Sequence, residues 1–223
     1  MPRISPFEAY ADQYESWFEK NRWVYEAELR AVKAMMPEGG SGLEIGVGSG
    51  RFPSPLGIRD GVEPSKYMRA FAQRRGIRAV DGVAEDLPYG DSQFDFVLMV
   101  TTICFVDDVG KALMEAHRVL FDGGVLIIGF VDRNSKMGRI YLQRQKENVF
   151  YKEATFLSVA ELAECMNHAG FTDMTFNQTI FGTLAETAED EPVKPGHGDG
   201  SFVVIRASKE KQKGPVKRMF PSS

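Results

Sequence analysis

The stretch "LEIGVGSG", Leu43 to Gly50, decides the fold, because a short apolar run ends there in three glycines at alternate positions. An apolar run followed by glycines predicts a buried strand with a tight turn at its carboxyl end. In an open α/β sheet, such a turn is where nucleotide-like ligands bind. Glu44 lies two residues before the first glycine, so the ligand has to tolerate a carboxylate close by.

Apolar runs alternate with helical patterns on the carboxyl side of this turn. Strands are predicted in "GLEIGV", "RDGVEPS", "IRAVDGVA", "FDFVLMV" and "GGVLIIGFV", and helices in "SKYMRAFAQRRG" and "DDVGKALMEAHRVLFDGG". Apolar strands separated by helices are typical of a parallel sheet covered on both faces. A helix opening at the capping box of Ser158 and Glu161 comes next, followed by strands in "FTDMTFNQTIF" and "GSFVVIRAS". The expected fold class is therefore α/β and Rossmann-like.

Four segments lie outside this alternation. Residues 1–36, with aromatic side chains three and four apart, predict a helical cap that ends at "PEGGSG". Residues 132–156 are polar, basic and aromatic and too long for a plain connection, which predicts a substrate-binding insertion. "ETAEDEPVKPGHGDG" predicts a mobile hairpin loop, and residues 209–223 predict a solvated basic tail. We expect all of them to belong to one domain, residues 1–223.

Composition narrows the class of protein. The 223 residues are 43% hydrophobic and 26% charged, as in an ordinary globular domain, and the formal net charge is −4. A negative net charge removes the broad attraction on which sequence-independent nucleic-acid binding depends, so a nucleic-acid partner is not favoured. No apolar run reaches the length of a membrane span, and no secretory signal opens the chain. Cys104 and Cys165 lack metal-type spacing and predict reduced core residues, so we expect a cytoplasmic protein.

The glycine loop distinguishes between three kinds of ligand. A phosphate-binding loop ends in Gly-Lys-Ser/Thr, which "GSGRF" lacks. A dinucleotide fingerprint requires G-x-G-x-x-G, but here the third glycine comes one residue early, and Glu44 would repel a pyrophosphate. A ligand with an adenosine half and positive charge in place of phosphate fits the loop. S-adenosylmethionine has both properties, through its sulfonium and ammonium groups.

The next two strand ends are consistent with the adenosine half of this ligand. "GVEPS" places Glu63 at the end of the second strand, where a carboxylate can accept hydrogen bonds from both ribose hydroxyls. Nicotinamide-binding proteins share that feature. In "GVAEDLP", Ala84 is small enough to let a flat base approach, and Glu85 and Asp86 supply polar groups near an adenine amino group.

In order and spacing, four motifs resemble those of the class I S-adenosylmethionine-dependent methyltransferases. They are "LEIGVGSG", "GVEPS", "AEDLPYGDSQFDFVLMV" and "EAHRVLFDGG". The small-molecule branch, which includes the quinone-biosynthesis methyltransferases, is the most similar, and the resemblance runs from about Tyr10 to Phe171. The chain departs from the family at Asp122, where proline is usual, and at Pro53 and Pro55, which predict an abbreviated first crossover helix.

The resemblance implies a mostly parallel sheet of seven strands, with helices on both faces and an antiparallel last strand in "GSFVVIRAS". It implies that Glu44, Gly46 and Gly48 contact the methionyl part, in the loop that Gly50 completes. It also assigns Glu63 to the ribose, Ala84 and Glu85 to the adenine edge, and Thr101 to a position beside the methyl donor. We further expect Tyr14 and Trp17 of the helical cap to close over the cofactor.

The sequence identifies no catalytic base and no metal site. Methyl transfer from a sulfonium needs alignment and exclusion of water, and a base only if the acceptor must first lose a proton. The histidines are expected to be structural or to lie in a loop: His117, His168 and His197. Asp107 and Asp108 are expected to cap the next helix.

The methyl acceptor is expected to be a small organic molecule. The chain lacks the [ND]-P-P-[YFW] motif of the methyltransferases that act on nucleobase amino groups, since it reads "MVTTICF" there. Tyr141, Phe150 and Tyr151 alternate with basic residues and could receive an anionic or aromatic acceptor; the basic residues are Arg139, Arg144 and Lys146. Three alternatives stay open: a nicotinamide-dependent oxidoreductase, a non-catalytic S-adenosylmethionine-binding protein, and a nucleic-acid methyltransferase. The oligomeric state is not determined by the sequence.

Overall fold

The computed structural model describes residues 5–210 as an α/β fold built on one mixed sheet. Its strands are β1 (Gly42–Ile45), β2 (Asp60–Val62), β3 (Arg78–Val80), β4 (Phe94–Val100), β5 (Leu120–Val131), β6 (Phe171–Thr179), β7 (Lys194–Pro195) and β8 (Phe202–Lys209). Its helices are α1 (Ser5–Ala9), α2 (Ala11–Lys20), α3 (Arg22–Lys33), α4 (Pro53–Leu56), α5 (Lys66–Arg74), α6 (Val109–Val119), α7 (Lys136–Gln143) and α8 (Val159–His168). A single 3-10 turn spans Gln145–Glu147. Most of the predicted basic tail and the first four residues of the predicted cap lie outside the described range.

The strand order is β3-β2-β1-β4-β5-β8-β6-β7. Strands β1 to β5 are parallel to one another, while β8 is antiparallel to both β5 and β6, between which it lies. The Rossmann-like α/β class and the antiparallel last strand are therefore confirmed. The sheet has an eighth strand, because the predicted hairpin loop contributes the two residues of β7 to the edge beyond β6. Pro195 is tolerated there because an edge strand leaves one side of its backbone unpaired.

The cap consists of three helices, where the aromatic spacing predicted one. The break between α2 and α3 occurs at Asn21, whose side-chain amide donates a hydrogen bond to the backbone carbonyl of Trp17. A side chain that bonds its own backbone in this way competes with continuation of the helix. The spacing of aromatic residues does not carry this information, since it continues across the junction.

Apolar side chains cover both faces of the sheet. On one face, α6 and α8 pack over the central strands, with Leu113 and Leu162 fully buried. On the other face, α3 packs through Val24, Ala27 and Ala31 against a second cluster. The capping box of Ser158 and Glu161 that opens α8 is present as predicted.

The first crossover helix is abbreviated, as the two prolines predict. Helix α4 has only four residues, Pro53–Leu56, and is followed by Gly57, which has a φ of +75°. Because β1, β2 and β4 are parallel, their carboxyl ends lie at one edge of the sheet, where residues of α2 and α3 line the same cavity. Within residues 5–210, no helix combines the length and apolar character needed to cross a membrane.

Candidate functional site

A cavity of about 260 Å³ opens at this edge of the sheet. Its wall combines the ends of β1, β2 and β4 with side chains of α1 to α3 and of the segment after β5. Seven of the nine predicted cofactor residues line it: Tyr14, Gly46, Gly48, Glu63, Ala84, Glu85 and Thr101. Glu44 and Gly50 do not.

The glycine loop is a tight turn at the end of β1. The backbone amides of Gly46 and Val47 both donate to the carbonyl of Val62, at 2.8 and 3.1 Å, which ties the loop to β2. Gly46 and Gly48 have φ values of +72° and +52°, which L-residues with side chains rarely adopt. A Cβ at Gly46 would lie 2.4 Å from the side chain of Thr102. Gly46 therefore requires glycine for both conformation and space, and Gly48 requires it for conformation.

Gly50 has a different neighbour. A Cβ at this position would lie 3.0 Å from the Cα of Ala72 in α5. The third glycine thus lets the loop pack against a helix, and the structure places it away from the cavity wall.

Glu63 lies at the junction of β2 and the loop. One carboxylate oxygen accepts from the amide of Gly48 and the other from the amide of Ser65, both at 2.9 Å. Burial raises the pKa of Glu63 to about 7, although these two backbone hydrogen bonds oppose the rise. Each oxygen keeps further acceptor capacity, so the carboxylate can still receive two hydroxyl groups.

Glu44 is buried in β1, with 1% of its surface exposed. Its Oε2 accepts no hydrogen bond from residues 5–210, and burial together with the charge of Glu63 raises its pKa well above the usual value. A buried carboxylate without a partner is costly, and nearby positive charge offsets that cost. The unpartnered acid beside the loop therefore fits a cationic ligand such as S-adenosylmethionine, although Glu44 itself is not on the wall.

The segment after β3 carries the two residues assigned to the adenine edge. Ala84 is buried and lines the cavity. Glu85 also lines it, but its Oε1 accepts from the amides of Asp107 and Asp108, at 2.7 and 3.1 Å. Its carboxylate thus holds the start of α6, and Asp108 caps that helix through the amide of Lys111 as predicted.

Thr101 ends β4 in a conformation unusual for a β-branched residue, with a φ of +52°. Its amide donates to the carbonyl of Gly129 at 2.8 Å, which helps hold the turn against β5. Thr102 donates its hydroxyl to the carbonyl of Gly46 at 3.3 Å and links this turn to the glycine loop. A non-glycine residue held at positive φ stores strain and is a frequent feature of functional sites.

An aromatic cluster joins the cap to the insertion. Phe7 contacts Phe105 and Phe150 with ring centroids 5.1 and 5.6 Å apart, and Tyr14 contacts Phe150 at 5.9 Å. Tyr141 and Tyr151 of the insertion also line the cavity, as does Trp17 of the cap. The predicted basic residues of the insertion are absent from the wall: Arg139, Arg144 and Lys146.

Sequence reasoning missed Glu28. This residue lies on the buried face of α3 between Ala27 and Ala31, 6% exposed, and lines the cavity. Burial raises its pKa to about 8. The sequence did contain a signal for this residue, because Glu28 lies within the apolar stripe of an amphipathic helix. A glutamate is almost never fully buried at such a position unless it is paired.

Glu15 was also missed. Its carboxylate accepts from the guanidinium groups of Arg51, next to the glycine loop, and of Arg75, at the end of α5. Arg75 in turn donates to the carbonyl of Ser49 at 2.6 Å. Helix α2, which carries Tyr14, is thereby fastened to the loop. The sequence offers no sign of this contact between distant residues.

Comparison with known proteins identifies the family. Residues 43–128 match the model of a methyltransferase domain. An S-adenosylmethionine-dependent methyltransferase of Thermotoga maritima has 52% sequence identity to this chain. Its crystal structure superposes on this one with a TM-score of 0.90, over 92% of this chain and 98% of that one. The chain belongs to the S-adenosylmethionine-dependent methyltransferases. It is therefore an enzyme whose methyl donor is S-adenosylmethionine, as the glycine loop and Glu44 predict.

Two further relatives are similar to this methyltransferase in sequence. An uncharacterized protein of Methanocaldococcus jannaschii is 43% identical over 206 residues, which are 92% of this chain and all of that protein. A ubiquinone biosynthesis O-methyltransferase of Azorhizobium caulinodans is 30% identical over 64% of this chain and 62% of its own length. The resemblance to quinone-biosynthesis methyltransferases is thus a distant one.

Proposed function

We propose that this methyltransferase transfers a methyl group in line to a small organic acceptor. The observation that carries the proposal is the contact of the cap with the insertion, where Phe7 and Tyr14 meet Phe150. These three side chains line the same cavity as Thr101. A macromolecular acceptor would require an open approach along that edge, whereas a small molecule fits inside.

The cofactor residues have separate tasks under this proposal. Glu63 holds the ribose hydroxyls, the backbone of Gly46 and Gly48 follows the methionyl part, and Ala84 leaves room for adenine. When bound, S-adenosylmethionine supplies a methyl group on a positively charged sulfur, which is a good leaving group because it departs as a neutral thioether. The chain then contributes alignment of the acceptor and a wall of aromatic side chains that excludes water.

Calorimetric titration tests the cofactor site first. We expect saturable binding of S-adenosylmethionine and S-adenosylhomocysteine and none of nicotinamide dinucleotides. Glu63→Gln should weaken both affinities by at least about tenfold, because one charged acceptor for the ribose is lost. Glu38→Gln, an exposed acid outside the cavity, is the matched control and should bind normally. Unchanged affinity in Glu63→Gln would contradict the assigned site.

A screen of small acceptors then tests turnover. The Thermotoga maritima relative is described as a possible histamine N-methyltransferase, so small amines are the first acceptors to try. We expect S-adenosylhomocysteine to form with at least one small molecule. Absence of product with every small acceptor, together with salt-sensitive binding to RNA or DNA, would favour the nucleic-acid alternative.

A further inference from the structure

Glu28 is a buried carboxylate that faces the cavity without a partner. Within residues 5–210 no group donates a hydrogen bond to it, and no cation lies near enough to affect its pKa. Its residue is 6% exposed. This carboxylate is costly to ionise in the empty protein, and a bound cation would offset that cost.

The groups around Glu28 are aromatic. Its charge contributes to raising the pKa values of Tyr14, Tyr141 and Tyr151, and all three of these tyrosines line the same cavity as Glu28. Trp17, Phe105 and Phe150 also line the cavity. Aromatic faces attract organic cations, and more strongly where water is excluded.

The charge of the cavity has one sign. The side chains that line it include four acids, Glu28, Glu63, Glu85 and Asp107, and no lysine or arginine among the residues that the structure describes. Glu63 and Glu85 are already hydrogen-bonded to backbone amides. Asp107 also has an interaction within the described residues, so Glu28 is the carboxylate left for a ligand. The field of the cavity opposes an anionic ligand.

We propose that the methyl acceptor is a small organic amine, that Glu28 binds its ammonium group, and that Glu28 accepts the proton this group must lose. This inference rests on the proposed function, since it assigns the substrate class of the same cavity. It corrects the expectation of an anionic acceptor, because the basic residues of the insertion do not reach the wall.

The proton transfer is needed because an ammonium nitrogen has no free electron pair. A proton passes from the bound ammonium to the carboxylate of Glu28, which leaves a neutral amine. Its lone pair forms the new N–C bond while the S–C bond breaks, and that electron pair stays on sulfur as a neutral thioether. The product leaves as a methylated ammonium, and Glu28 returns its proton to water. A carboxyl group whose pKa is raised to about 8 is well matched to hold this proton near neutral pH.

The test compares molecules of one skeleton and different charge. Calorimetry in saturating S-adenosylhomocysteine uses alkyl, arylalkyl and heteroarylalkyl monoamines, which are ammonium ions near neutral pH, each with its neutral alcohol and its carboxylate counterpart. We expect amines to bind at least about tenfold more tightly than their alcohols, and the carboxylates to bind worst. Glu28→Gln should abolish the preference for amines over alcohols, and Glu28→Asp should retain part of it.

Two controls keep the outcomes separate. Glu26→Gln makes the same chemical change on the same helix, at a residue paired with Arg22 outside the cavity, and should leave amine binding unchanged. S-adenosylhomocysteine affinity should change by less than about twofold in Glu28→Gln, since the residue is assigned to the acceptor. If the wild-type chain does not bind S-adenosylhomocysteine, the proposed function itself is wrong. Normal cofactor binding with no preference for amines, or a preference that survives Glu28→Gln, would overturn this inference alone.

Discussion

At the scale of single residues, three buried carboxylates make the region around the cavity acidic. The pKa values of Glu28, Glu44 and Glu63 all lie above that of a free glutamate, and burial is the first cause for each. Only Glu63 has backbone donors to both oxygens. The other two are expensive to ionise while the site holds no cation, which links ligand charge to stability.

The stability of the ligand-free protein should depend on pH through Glu28. Its pKa is about 4.5 when unfolded and about 8 when folded, so the folded state prefers the protonated form. The contribution of Glu28 to the free energy of unfolding is fully present below about pH 4.5. It is lost as the pH rises toward 8, and the loss is roughly 5 kcal/mol at most. In denaturant unfolding across this pH window, the free energy of unfolding should therefore fall less for Glu28→Gln than for the wild type.

A second glutamate on the same helix provides the control for this pH dependence. Glu26→Gln should follow the wild-type profile, because Glu26 is a partly exposed member of a surface ion pair. Parallel profiles for wild type and Glu28→Gln would mean that the carboxylate of Glu28 is not desolvated in solution.

At the scale of elements, α2 is coupled to the glycine loop through Glu15. The carboxylate lies between Arg51 and Arg75, and all three side chains are about three-quarters or more buried. Hydrogen bonds to charged groups in partly buried settings contribute about 1.5–3 kcal/mol. Helix α2 carries Tyr14 to within 3.2 Å of where a Cβ on Gly48 would lie, so the coupling positions the cap over the loop.

Glu15→Gln should loosen this attachment. We expect faster hydrogen exchange in α2 and a several-fold weaker affinity for S-adenosylhomocysteine, because the neutral amide cannot satisfy two guanidinium groups. Glu19→Gln, an exposed acid on the same helix, provides the comparison and should alter neither quantity. Weaker affinity without faster exchange would show that Glu15 acts other than by holding α2.

At the scale of the whole molecule, the sheet brings together two segments that are far apart in the chain. The parallel strands all end at the cavity edge, so the cap before β1 and the insertion after β5 meet over the same opening. Their contact is the aromatic cluster of Phe7, Tyr14, Phe105 and Phe150.

Ligand binding should therefore protect both segments together. With S-adenosylhomocysteine bound, hydrogen exchange should slow in α2 and in α7 with similar dependence on ligand concentration, because each segment packs on the other. Exchange in α8, on the opposite face of the sheet, serves as the internal reference. Protection of α2 alone would mean that the insertion does not close over the cofactor.

The periodic parts of the chain were predictable. Apolar runs and glycines identify β1 to β5 and the loop, and the two prolines account for the short α4. The prediction differed at two places: a local side-chain bond from Asn21 divides the cap, and a tertiary edge pairing recruits β7. Neither leaves a periodic signal, since each depends on single residues and their distant or local partners.

The sequence by itself determined the α/β sheet, the glycine loop, the carboxylate after β2 and the methyl donor. Each of these follows from residues close together in the chain, where spacing translates directly into geometry. Only the tertiary structure decided that Glu28 faces the cavity, that Glu85 holds α6, that Gly50 packs on α5 and that Glu15 fastens the cap. Those roles depend on which distant elements the sheet brings together, and the charge of the cavity depends on them.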